Sequence, residues 1–247
     1  MKEQENDFFV GYLPMPEGLK PFYKWLAVVL IVVAMGFAYW VSSSQQAVGN
    51  GQWLLSEQKT YQGYLSHDPY PVLHVRGDEP ETIILMSLGK HSSANLTSSL
   101  DGKEVTVTGI PIERGGWKLL ELRDTSDVKI LDSNQAYEVV PELLGDVTLS
   151  GEIMDSKCFM GVMKPGEGKV HRACAAMCIA GGIPPMLVVT QSDGNRYGYI
   201  LIGPGGQTAA DLVVEDVAVP VTVFGQLERR GDLTYLRIAE NGINRIQ

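Results

Sequence analysis

Apolar positions along the chain follow two different rhythms. Residues 25 to 41, WLAVVLIVVAMGFAYWV, form one uncharged run of 17 residues that opens on Trp25 and closes on Val41. A run that is apolar on every side has no face to offer water, and this one is just long enough to cross a hydrocarbon core. Beyond residue 57 the pattern switches to short alternating stretches rich in Val, Ile, Thr and Tyr, broken by Gly-containing turns, which reads as strands and hairpins.

The strand pattern repeats. VTVTGIPIERGGWKLLEL from Val105 aligns without a gap on VTVFGQLERRGDLTYLRI from Val221, an offset of 116 that places Gly109 on Gly225 and Arg114 on Arg230. The same offset sets TIILMSLG from Thr82 on GYILIGPG from Gly198. Upstream, YQGYL matches LSGEI with Gly63 on Gly151, but there the offset falls to 88, so the second copy carries 28 more residues between its first two strands. A first copy that does without this insertion implies that the insertion is a site or a self-contained staple rather than core. Its removal, over residues 157 to 184, is then expected to leave both copies folded.

Element order in each copy is one strand, a hairpin pair, a short connecting segment and a final hairpin. It resembles the OB-fold, a small five-stranded Greek-key barrel. That resemblance rests on the V-x-V-x-G strand before the last hairpin, present twice, and implies ligand binding on the face of strands two and three and in nearby loops. The fold expected is therefore all-β: two tandem OB-like barrels after one N-terminal transmembrane helix, with a helical Cys/His insertion in the second. The expected division is a tail at 1 to 24, the helix at 25 to 41, a linker at 42 to 57, a first barrel at 58 to 131, a linker at 132 to 145 and a second barrel at 146 to 247.

The insertion, placed at residues 155 to 185, holds all three cysteines and one of the four histidines. If KVHRACAAMCIAGG is a short helix closed by Gly181 and Gly182, then His171, Cys174 and Cys178 share one face and the chain can return Cys158 as a fourth donor. Four nitrogen and sulfur donors are what a closed zinc site takes. Copper(I) is the rival, because Met160, Met163 and Met177 supply thioethers nearby. A disulfide from Cys158 to either partner is the third reading, leaving one thiol over; a redox-active thiol pair is the fourth, and lacks Cys-x-x-Cys spacing. Asp155 and Glu167 flank the stretch and are candidates to orient His171. His67, His74 and His91 read as ordinary surface histidines.

Charge narrows the partners. With 29 acidic against 20 basic side chains the chain carries a net charge of -9, which excludes a polyanion such as nucleic acid as partner. Lys20 and Lys24 precede the apolar run and Tyr39 and Trp40 end it, so the N-terminus is expected in the cytoplasm and the rest in the periplasm or other extracytoplasmic space. A cleaved signal peptide is the competing reading. In layout the chain resembles the haem chaperone of cytochrome c maturation, although that family's haem-attaching His with Tyr four residues on is absent. No triad, phosphate-binding loop or paired-carboxylate motif is visible. The expectation is a non-enzymatic accessory subunit of a membrane-bound redox complex, anchored in the bilayer of the cytoplasmic membrane; the alternative is a metal- or thiol-delivery factor for extracytoplasmic redox proteins.

Overall fold

A computed structural model describes residues 16–44, 50–131, 137 and 139–246. The greater part of the tail at 1 to 24, and parts of the two expected linkers, lie outside the described residues. The chain divides into two compact units, residues 1–47 and 48–247.

Helix α1, Leu19–Ser44, is the described part of the first unit together with its short lead, and is 26 residues long. At 1.5 Å per residue it spans about 39 Å. It starts six residues ahead of the uncharged run, because Pro21 in a first turn needs no hydrogen-bond partner for its nitrogen. Its mean hydropathy of 2.2 makes it long and apolar enough to cross a membrane.

The second unit is all strands and short helices. In chain order the first barrel uses β1 (Gln52–Trp53), β2 (Lys59–Ser66), β3 (Val72–Val75), β4 (Glu81–Ser87), α2 (Ala94–Thr97), β5 (Glu104–Arg114), β6 (Trp117–Leu122) and β7 (Val128–Ile130). The ring closes as β2-β3-β4-β6-β5 and back to β2, with β4 and β6 parallel and the other pairs antiparallel. β1 and β7 add to β5, so part of the expected linker at 42 to 57 belongs to this barrel. The second barrel uses β8 (Glu142–Asp155), α3 (Arg172–Ala180), β9 (Pro185–Thr190), β10 (Arg196–Ile202), α4 (Ala210–Val213), β11 (Pro220–Arg230) and β12 (Leu233–Arg245). It closes in the same order, β8-β9-β10-β12-β11, and only β10 and β12 are parallel. That is the strand order of an OB barrel, twice. β8 begins at Glu142, four residues ahead of the expected boundary at 146.

Residues 116 apart take corresponding pairings in the two barrels. Ile84 faces Leu119 across the parallel pair of barrel one, and Ile200 faces Tyr235 in barrel two. Gly109 and Gly225 occupy the same place: a Cβ at either would stand 2.7 Å from the carbonyl oxygen of Glu121 or 2.1 Å from that of Arg237. Backbones this close across a curling hairpin admit no side chain.

Each barrel has its own core, around Leu65, Leu73, Ile83, Leu85, Val105 and Leu120 in the first and Ile153, Leu187, Leu201, Val221, Val223 and Leu236 in the second. A third cluster joins them: Val72, Ile84, Met86 and Ile112 of barrel one meet Ile200, Ile202 and Tyr235 of barrel two, with Cys158, Met160, Cys178 and Ile183 of the insertion among them. Tyr70 of barrel one is also buried against barrel two, donating to the Leu201 carbonyl at 2.8 Å and accepting from the Ala209 N–H at 3.0 Å. The insertion is therefore part of a core shared by both barrels. This differs from the expectation of a self-contained loop: the first copy lacks the insertion, but its residues pack against the one carried by the second.

Candidate metal centre

The site begins at the end of β8. Asp155 is fully buried, and its carboxylate is used twice: Oδ1 accepts from the Cys158 N–H at 2.8 Å, and Oδ2 lies 3.0 Å from His171 Nε2. The first bond pins the chain as it leaves the strand; the second fixes the imidazole ring. From Ser156 the chain enters a wide helical turn, Cys158–Val162, which breaks at Gly161 with φ 147. A short turn over Lys169–His171 then leads into α3, so His171 stands at the N-cap of the helix that carries Cys174 and Cys178. The Gly181-Gly182 pair ends that helix as its sequence implies: Gly181 N–H reaches the Met177 carbonyl at 3.0 Å, and Gly182 turns with φ +88.

The expected donors fall into two overlapping groups of three, the second of which takes in Asp155 and leaves out His171. Ligand atoms of Cys158, His171 and Cys174 lie within 4.8 Å of one another, and so do those of Asp155, Cys158 and Cys178. Cys158 belongs to both. The three cysteines are free thiols; Cys158 and Cys178 are buried and Cys174 is half-buried. The Cys158 thiol donates to the Cys178 sulfur, and that bond, helped by burial, pushes Cys158 well above the ordinary thiol range. Cys178 moves down, first because it accepts that bond and also because Lys90 is near. Of this hydrogen-bonded pair, Cys178 is the one favoured to carry negative charge. A soft cation with tetrahedral preference suits three thiols and an imidazole at this spacing.

Of the thioethers that would favour copper, Met177 is exposed and off the donor face, Met163 is exposed, and Met160 is buried in the shared core. Glu167 does not reach His171; it pairs with Arg196. Of the other histidines, His74 is not on the surface: it is buried with Nδ1 3.3 Å from Thr82 Oγ1, and burial pushes it down to about 4.

Two lysines tie the site to barrel one, and the first comes from where the motif gives no hint. Lys90, in the loop after β4 of barrel one, places Nζ 2.6 Å from Cys174 Sγ and 3.7 Å from Cys178 Sγ. In the other direction Lys157, only 2% exposed, leaves the insertion to pair with Glu121 and to donate to the Ser87 and Gly89 carbonyls, each at 2.8 Å. One signal did exist: at the offset of 116 the position of Lys90 corresponds to Gly206, so copy one carries a cation where copy two has no side chain.

No family model matches the chain, and no curated protein matches it.

Proposed function

We propose that the chain is a non-enzymatic, membrane-anchored accessory subunit of an extracytoplasmic redox complex, whose Cys158, His171, Cys174 and Cys178 hold one structural metal ion, zinc by default. The observation that carries this reading is the convergence of three free thiols and an Asp-oriented imidazole between two barrels. A divalent ion there ties the insertion to itself and, through it, the second barrel to the first. The anchor is α1, and the Lys-before, aromatic-after pattern of its flanks supports an N-terminus in the cytoplasm with both barrels in the periplasm or its equivalent.

A second reading, a metal- or thiol-delivery factor, is favoured by one specific feature. Cys174 is half-buried with an ammonium at 2.6 Å, which is an accessible thiol beside a cation. Purification separates the two. After mild detergent extraction a subunit copurifies with a membrane complex in fixed ratio, while recovery of the chain alone, with metal that exchanges on dilution, contradicts the subunit reading in favour of delivery. A reporter that is active only outside the cytoplasm should be active when fused after Gln247, and an inactive fusion reverses the orientation.

A further inference from the structure

We propose that Lys90 is a working residue of the thiol site: its ammonium balances the charge of a metal held by three thiolates and His171, so that the first barrel completes a site whose ligands all belong to the second. The inference rests on the metal reading above and extends it to a residue outside the motif.

Three thiolates and a neutral imidazole around a divalent ion sum to one net negative charge, and burying an unbalanced charge is costly. One ammonium offsets the charge of the ligand set; the buried Asp155 carboxylate beside it is a further negative charge, held by the Cys158 N–H and His171. Lys90 Nζ lies 2.6 Å from Cys174 Sγ, the half-buried thiol, and 3.7 Å from Cys178 Sγ, while Cys178, His171 and Cys158 are 1%, 2% and 4% exposed. Lys90 is only partly buried and so covers the site on the Cys174 side. An ammonium donating to a metal-bound sulfur also draws charge from it, which weakens its attack on electrophiles.

Position supports the same role, because the loop that carries Lys90 is held on the insertion at several points. Ser92 N–H donates to the Gly181 carbonyl at 2.9 Å, and a Cβ on Gly181 would come within 1.8 Å of the Lys90 carbonyl oxygen. From the other side Lys157 takes the Ser87 and Gly89 carbonyls, on either side of Leu88 and just ahead of Lys90. The backbone of residues 87 to 92 is thus clamped at three points, with the Lys90 side chain aimed at the thiols. A lysine that merely covered the surface would need no such support.

The test measures zinc affinity of the full-length protein in detergent by competition with a chromophoric chelator, for wild type, Lys90→Met and Lys90→Arg. Methionine keeps the length of the side chain and removes its charge. Groups that support a metal site through its ligands are worth roughly 10- to 100-fold in affinity. Lys90→Met should therefore bind zinc at least tenfold more weakly, and its loaded form should lose iodoacetamide protection at Cys174, while Lys90→Arg restores both. Equal affinity in Lys90→Met overturns the proposal, and so does tighter binding, which would mean that Lys90 competes with the ion. If wild type binds no zinc, the metal reading fails and this one with it; wild-type binding with an indifferent Lys90→Met sinks this one alone.

Discussion

Asp155 illustrates how much one buried side chain can organise. A carboxylate with no exposed surface must have its oxygens satisfied, and here one holds the Cys158 backbone while the other holds the imidazole. Lys157 and Glu121, both about 2% exposed in their side chains, form a buried ion pair at the barrel interface through one carboxylate oxygen. Removing one partner of such a pair costs roughly 3–5 kcal/mol, because the other is left as an uncompensated buried charge. His74 gives a residue-scale prediction that titration can check. The folded protein keeps its imidazole neutral down to about 4, while the unfolded chain takes up a proton near 6.5. Between those values the unfolded state binds more protons, so the stabilisation is complete above 6.5 and is lost as the pH falls toward 4. Asp232 opposes the shift, and Thr82 and the Tyr137 ring face the imidazole without charge. Urea unfolding at pH 7 and pH 4.5 should show wild type losing on the order of 2–3 kcal/mol more than His74→Gln. Equal losses would mean that His74 titrates normally.

At the scale of elements, the insertion is the piece whose role changes most between sequence and structure. Its side chains Cys158, Met160, Cys178 and Ile183 all lie in the cluster that contacts both barrels. Arg114 of β5 stacks its guanidinium on Phe159, 3.8 Å from the ring centroid, adding another tie to barrel one. Burying one large apolar side chain is worth about 1.5–3 kcal/mol, so deleting residues 157 to 184 removes on the order of 5–10 kcal/mol, comparable to the whole stability of a domain. The deletion variant should lose the single cooperative transition of the 48–247 unit, which circular dichroism in denaturant will reveal. An unchanged midpoint would restore the view of the insertion as an appendage. Strands and the helix of the insertion were legible because alternation, the Gly181-Gly182 stop and the offset of 116 are local signals. The interface was not, since Ile84, Met86 and Tyr70 read simply as core positions of barrel one, and nothing in a strand's period tells which buried residues face a second barrel.

For the molecule as a whole, one arrangement follows from these pieces: an apolar helix of 26 residues, then two barrels of one strand order fused through a shared core, with the Cys/His site where the insertion meets both. Three of the four expected donors, His171, Cys174 and Cys178, were named from helical spacing, and Cys158 from the turn ahead of them. Lys90, 84 residues ahead of Cys174, is brought there only by barrel-on-barrel packing. Asp155 stood next to the motif and could be named in advance; Lys157 and Glu121 could not, since their partners lie in another barrel. The proposed function turns on a metal, and not a disulfide, at the Cys/His site. Native mass spectrometry of the full-length protein, released from detergent without reductant, tests it most directly when paired with a thiol count before and after chelation. The account predicts one zinc ion per chain, three thiols that become reactive only after chelator, and loss of the ion in His171→Ala as in Cys174→Ala. A metal-free mass two units below the fully reduced protein, with one titratable thiol and a silent His171→Ala, would contradict it.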